Sequence, residues 1–203
     1  MKTQTLYPIA LALVLAPITF PTAVVSLSSS SSWLERKPLT NWNRPTASIP
    51  KAPNRDFPYP ERCKQQIRNP STTEERAVNA AGWTITKAPR GETQSSGGLV
   101  LVKGQTDFDG MCRPVQYQQF IFVNGVFAGT ISPNLMNSRS DGNLIQTSIQ
   151  TPFRLRAEFS RYTAKDALCC ASKTSEVIYR IDQANKRPLV VPIQVRTYPA
   201  RSY

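Results

Sequence analysis

From residue 83 onward the apolar positions of this chain recur every second residue, the period of a strand with one covered face. Segments 99–103, 116–123, 126–131, 144–150, 153–162, 176–181 and 189–195 carry that pattern. In the second of them Phe120 and Phe122 alternate with Ile121 and Val123. A strand that is apolar on both faces belongs in the middle of a sheet. Segment 153–162 instead sets Arg154, Arg156 and Glu158 against Phe153, Leu155, Ala157 and Phe159, so one of its faces is wet. Asn124-Gly125 falls between two strand runs, and both residues tolerate the positive φ that a two-residue type I′ hairpin requires. Segment 71–82 breaks the alternation. Ser71 or Thr72 is placed to cap a helix, Glu74 and Glu75 suit its positive end, and Gly82 ends it. The links between strands are too short for parallel crossovers. The expected fold class is α+β, an antiparallel sheet of about six or seven strands with one packed N-terminal helix.

Upstream the pattern is different. Residues 1–26 combine Lys2, an apolar run from Leu6 to Ile18 and small residues after it, the plan of a secretory signal peptide cleaved after Ser26. Pro17 and Pro21 cut the run short of the roughly 20 apolar residues a membrane span needs. Residues 27–62 hold a serine run, Ser28–Ser32, followed by six prolines and several basic residues. That composition predicts a disordered linker, with Trp33, Trp42, Phe57 and Tyr59 as its exceptions. The folded domain is then expected over 63–198, with 199–203 as a tail.

Charge and composition narrow the chemistry. The 203 residues include 25 Lys or Arg, 13 Asp or Glu and no His, for a net charge of +12. Without His there is no Ser-His-Asp or Cys-His nucleophile and no HExxH zinc site. Cys63, Cys112, Cys169 and Cys170 form no CxxC pair, so neither a metal nor a cofactor is expected. In an exported protein an even number of cysteines reads as disulfides. Of the three connectivities, a bond between the adjacent Cys169 and Cys170 needs a strained ring and ranks last. The expectation is that Cys112 joins one member of that pair and Cys63 the other. Closing the roughly 58 residues between Cys112 and Cys170 would stabilise by about 4 kcal/mol.

Asp107-Phe108-Asp109-Gly110 opens like a calcium loop but lacks the later acidic ligands, and reads as a turn. Segment 137–142 is a polar loop between strands, and Ser138, Arg139 and Asp141 are its candidate binding residues. Arg154, Arg156, Arg161 and Tyr162 lie near one strand, where they could track phosphates. Export argues against nucleic acid as a partner, and no RNA- or DNA-binding motif is present.

The segment from Cys112-Arg113-Pro114 through Phe120-Ile121-Phe122-Val123-Asn124-Gly125-Val126-Phe127-Ala128-Gly129-Thr130 resembles the LppP/LprE lipoprotein family. Its look is a Cys, an aromatic-rich strand, an Asn-Gly turn and a Phe-x-Gly-Thr strand, with Phe122, Asn124, Gly125, Phe127, Gly129 and Thr130 as the motif positions. Tyr162 to Ser172, followed by 177–181, resembles its second Cys block. The resemblance spans roughly 75–195 and implies an exported envelope protein with no catalytic residues to carry over. The chain lacks the acylatable Cys of the lipoproteins, so membrane association is expected to be at most peripheral. The reading is a non-catalytic binding or structural module whose partner is an anionic envelope polymer or another envelope protein. The alternatives are a secreted hydrolase acting through Asp/Glu and a thiol–disulfide protein using Cys169-Cys170.

Overall fold

A computed structural model describes residues 32–55, 58–87, 93–183 and 187–200. The expected signal peptide, residues 1–26, lies outside them. The chain forms two four-stranded antiparallel sheets. The first has the order β1 (Gln94–Ser96), β2 (Leu99–Phe108), β3 (Pro114–Val123), β4 (Val126–Thr130). The second has the order β5 (Leu144–Thr151), β6 (Arg154–Arg161), β7 (Lys173–Asp182), β8 (Leu189–Pro199). Two small helices precede them, α1 (Glu61–Lys64) and α2 (Thr73–Ala80).

This corrects the expectation of a single sheet of about six or seven strands with a packed helix. The described residues are mostly β, and the strands divide between two sheets after β4. Period two tells which positions are buried, and it is silent on which strands pair. Each sheet turns one face inward. Leu99, Leu101 and Ile121 from the first share a core with Leu155, Phe159, Val177 and Ile181 from the second. Two buried tyrosines tie the sheets across that core. Tyr179 of β7 donates to the Ile131 carbonyl at 2.6 Å, and Tyr117 of β3 donates to Asn143 Oδ1 at 2.6 Å. Burial raises the phenol pKa of both above its usual range.

The outer face of the first sheet is covered as well. Thr72 caps α2 by accepting from the Glu75 N–H at 3.1 Å. Val78 of α2 then packs with Trp83, Val102, Phe120 and Phe122. β3, between β2 and β4, is therefore apolar on both faces, as its sequence predicts. The turn between β3 and β4 has φ of 48° at Asn124 and 79° at Gly125, the expected hairpin. Glu75 is buried, and Arg68 holds it with hydrogen bonds of 2.7 and 2.5 Å. Donors from Ser71 and Thr93 add to the pair, and together they hold the carboxyl well below the usual carboxylate range.

Residues 32–55 are not the disordered linker their composition predicts. Trp33 and Leu34 are buried in the inter-sheet core, and Trp33 meets Phe159 edge to face with ring centroids 5.4 Å apart. Trp42 donates to Thr130 Oγ1 at 3.1 Å. Asn43 closes the seam between the sheets. Its Nδ2 donates to the Thr130 carbonyl of β4 and to the Val190 carbonyl of β8, both at 3.1 Å, and its Oδ1 accepts from Thr130 N–H at 2.9 Å. Gly129 makes room for this: its φ is +140°, and a Cβ there would sit 2.4 Å from Asn43 Cγ. Average composition misjudges this segment because three or four residues, each with its own socket, do the anchoring.

The disulfides also differ from the expected pairing. Cys63, brought in by α1, bonds Cys112 beside the 109–112 turn, with Cα atoms 5.2 Å apart and a separation of 49 in sequence. Both are buried against Phe108. Asp109 shapes that turn by accepting from the N–H groups of Met111 and Arg113, so the calcium-like tetrapeptide is the last two residues of β2 and the start of the turn after it. Cys169 bonds Cys170. The neighbours in sequence pair because Cys63 already occupies Cys112 at the end of the first sheet, while Cys169 and Cys170 stand exposed beside the second.

Candidate functional site: a groove on the second sheet

The outward residues of β6 are those between Leu155, Ala157 and Phe159, namely Arg156, Glu158 and Ser160. They form the floor of a groove of about 660 Å³, within the range of small-ligand sites. Gln146 of β5 and Tyr198 of β8 border the floor, and the 162–172 loop supplies a wall with Tyr162, Cys169 and Cys170.

The floor is a bonded network. Glu158 and Glu176 are direct cross-strand partners on β6 and β7, an arrangement that repels unless a cation intervenes. Arg156 intervenes. Its Nε donates to Glu176 Oε2 at 2.5 Å, and its Nη2 donates to Glu158 Oε1. Gln146 Nε2 donates to the other oxygen of Glu158 at 2.8 Å, and the Tyr198 hydroxyl stands 3.5 Å from Glu158 Oε1. The bond to Glu176, and then the charges of both carboxylates, raise the Arg156 guanidinium pKa further. Burial, then the same two carboxylates, raises the Tyr198 phenol. Both glutamates are thus committed to Arg156.

The wall is held at its base by one side chain. Asp166 accepts from the N–H and hydroxyl of Thr163, at 2.8 and 2.9 Å, and from the N–H and hydroxyl of Ser172, at 3.0 and 2.8 Å. The backbone donors of Thr163 and Ser172 hold its carboxyl well below the usual carboxylate range. Further along, the Tyr162 hydroxyl donates to the Leu168 carbonyl at 3.1 Å, and the Cys169–Cys170 bond fixes the adjoining backbone.

A second hollow of about 290 Å³ shares Tyr162 and Lys173 with the groove and adds Lys37, Glu35 and Arg161. Arg161 is buried and each of its three side-chain nitrogens donates, to Asp141 at 2.9 Å, Ser175 at 3.1 Å and Glu35 at 2.8 Å. Lys37 and Lys173 are exposed, and among the described residues neither forms an ion pair. The mouth where the two hollows meet is therefore cationic.

The predicted loop residues do not meet here. Asp141 accepts from Arg161 and from the Tyr162 N–H, so it props the start of the wall. Ser138 N–H bonds the Pro114 carbonyl at 3.1 Å, and Arg139 is an exposed position with φ of 62°. None of the three lines the groove. Of the residues weighed for phosphate tracking, Arg156 and Tyr162 do line it, Arg154 is exposed elsewhere on β6, and Arg161 is buried. Sequence reasoning missed Glu158, Lys173 and Tyr198 as site residues. The wet face of β6 was a usable signal for the first, while the other two enter only through strand pairing. Among the motif residues, Phe122 and Phe127 pack on the outer side of the first sheet, Asn124 and Gly125 form the turn, and Gly129 and Thr130 receive Asn43.

No curated protein and no solved structure matches the chain. The model of the LppP/LprE lipoprotein family matches residues 97–184, which run from β2 through β7 and carry both the Asn-Gly hairpin and the Cys169-Cys170 wall. Over residues 97–184 the chain is similar to the LppP/LprE lipoprotein family.

Proposed function

We propose that this is an exported envelope protein whose folded part is a non-catalytic binding module, with an anionic envelope polymer as its ligand. The match of residues 97–184 to a lipoprotein family supports an envelope protein. Among the described residues no helix is long and apolar enough to cross a membrane. The observation that carries the reading is the junction of groove and hollow, where Lys37 and Lys173 flank a preformed cleft and form no ion pair among the described residues. Cations at the mouth of a low-dielectric groove concentrate an anionic ligand and weaken with salt, since the screening length falls to about 8 Å at physiological ionic strength. Membrane contact in this reading is at most peripheral, and nucleic acid is not a partner.

The test is chromatography of the exported protein on immobilised polygalacturonate. Retention at low salt that declines as salt rises, and that weakens in Lys37→Gln/Lys173→Gln, is the expected result. No retention, or retention indifferent to salt, overturns the proposal. Reducing ends released from the column would instead favour a hydrolase acting through Asp/Glu. One observation favours a second reading, thiol–disulfide exchange: the joined Cys169–Cys170 pair is exposed at the groove wall. Thiol counting decides it, because two disulfides that persist in the presence of a protein dithiol remove that reading.

A further inference from the structure

We infer that the polymer seated in this groove is an acidic polysaccharide, recognised as a sugar chain and not merely as a polyanion. This rests on the reading of the groove as a polymer site and adds the chemistry of the repeating unit. Three features of the groove act together. Its floor presents acceptors, because the Glu158 carboxylate, fixed by Arg156 and Gln146, is a lining group. An anionic backbone such as a phosphate chain would meet the charges of Glu158 and its neighbour Glu176, which the single Arg156 cation of the floor offsets only in part, whereas hydroxyl groups donate to the remaining lone pairs of the Glu158 carboxylate. Its sides present apolar surface from the Tyr162 and Tyr198 rings, from Ile145, which is 50% exposed, and from the Cys169–Cys170 bridge, which carries no S–H donor. The C–H face of a pyranose ring fits such surfaces, and tyrosine offers an apolar body with a polar tip. Its mouth presents the ammonium groups of Lys37 and Lys173, which suit a carboxylate substituent.

An acidic peptide has donors and charge too, but it binds sheets by pairing its backbone with a free edge. The groove runs from Ile145 and Gln146 of β5 to Tyr198 of β8, and its floor is β6, an inner strand whose backbone groups already pair with β5 and β7. A peptide laid there would leave its own amides without partners, at a cost for each. A hydroxyl-bearing ring has no such requirement. The site thus selects donors on the floor, an apolar ring face at the sides and an anion at the mouth, which is the composition of a uronate-type sugar chain.

The experiment is calorimetric titration of the exported protein with four probes of matched length at one salt concentration: oligogalacturonate, neutral dextran oligomer, polyphosphate and poly-L-glutamate. Oligogalacturonate is expected to bind at least about tenfold more tightly than each of the other three. Tyr162→Ala/Tyr198→Ala is expected to lower its affinity by about tenfold while leaving the weak polyphosphate binding unchanged. Polyphosphate or polyglutamate binding as tightly as oligogalacturonate overturns the sugar inference while leaving the anionic-polymer reading intact. Binding of none of the three anionic probes overturns both. The discrimination by the unaltered protein decides the question even where the double variant does not fold, and Tyr198→Ala alone, which leaves the Tyr162–Leu168 bond in place, gives an independent variant.

Discussion

Replacing Cys63 and Cys112 together by Ala removes a cross-link between residues 49 apart in sequence. In the chain-entropy description a loop of that length restricts the unfolded chain by about 14 cal/mol/K, or about 4 kcal/mol at 25 °C. For a domain of this size each kcal/mol moves the melting temperature by about 2–4 °C, so the double variant should melt about 8–16 °C lower. Both sulfurs are buried beside Phe108, so lost packing adds to the entropic loss. The internal comparison is Cys169→Ala/Cys170→Ala. That bond joins adjacent residues and closes almost no loop, so the same relation assigns it under about 1 kcal/mol and a shift of no more than about 4 °C. Thermal melts followed by circular dichroism, with peptide mapping of the oxidised protein, make the measurement. A Cys63/Cys112 variant that melts within about 3 °C of the parent, or a Cys169/Cys170 variant that loses as much, refutes the argument. The second outcome would mean that one of the adjacent cysteines closes a long loop after all.

Glu75→Gln should destabilise by about 3 kcal/mol at neutral pH, because it leaves the Arg68 charge without its carboxylate. Its folded carboxyl lies below the ordinary value of 4.5, so its stabilisation is fully present above that pH and declines as the pH falls beneath it. Urea melts at pH 7 and pH 3 should show the gap between parent and variant narrowing, and a constant gap contradicts the assignment. Leu34→Ala should lower stability by about 2–5 kcal/mol, since Leu34 is 1% exposed in the inter-sheet core. A loss below about 0.5 kcal/mol in the same melts would return residues 32–55 to the role of a loose tail.

The strands were legible because their signals are local. Alternation along 153–162 marks β6 and its wet face, and Asn124-Gly125 marks its hairpin from two residues alone. The helix over 71–82 was legible through Thr72, Glu75 and Gly82, although it is short and covers only one face of one sheet. What could not be read is non-local. The division into two sheets depends on which inward faces meet, and Leu101 and Phe159 carry no mark of being neighbours. The docking of Trp42 and Asn43 depends on Thr130, 88 and 87 residues away, and a composition average blurs such single anchors. Cysteine pairing is non-local for a related reason: ring strain at Cys169-Cys170 is visible in the sequence, while the position of α1, which delivers Cys63 to Cys112, is not. The groove inherits all of these, since Tyr198 reaches Glu158 only through the order β6-β7-β8.

The six hairpin residues of the family resemblance and the residues that line the groove are different sets, although Tyr162, Cys169 and Cys170 of the second Cys block do line it, and the difference bears on how function should be assigned. Phe122, Asn124, Gly125, Phe127, Gly129 and Thr130 build the hairpin, cover the outer face of the first sheet and receive Asn43, all of it structural work. Arg156, Glu158, Tyr162 and Lys173 lie within residues 97–184 but away from that motif, and Lys37 and Tyr198 lie outside the matched span. A chain can therefore keep the fold of this family while changing the floor, the aromatic sides or the cationic mouth of the groove. Fold membership sets where a ligand would sit, and the identity of the ligand has to be argued from the side chains present at that place. Here Lys37 makes the point most sharply. It reaches the mouth only because Trp33 and Leu34 are anchored in the core and Glu35 is paired with Arg161. The N-terminal segment that composition assigns to a linker thus contributes one of the two cations on which the proposed selectivity depends.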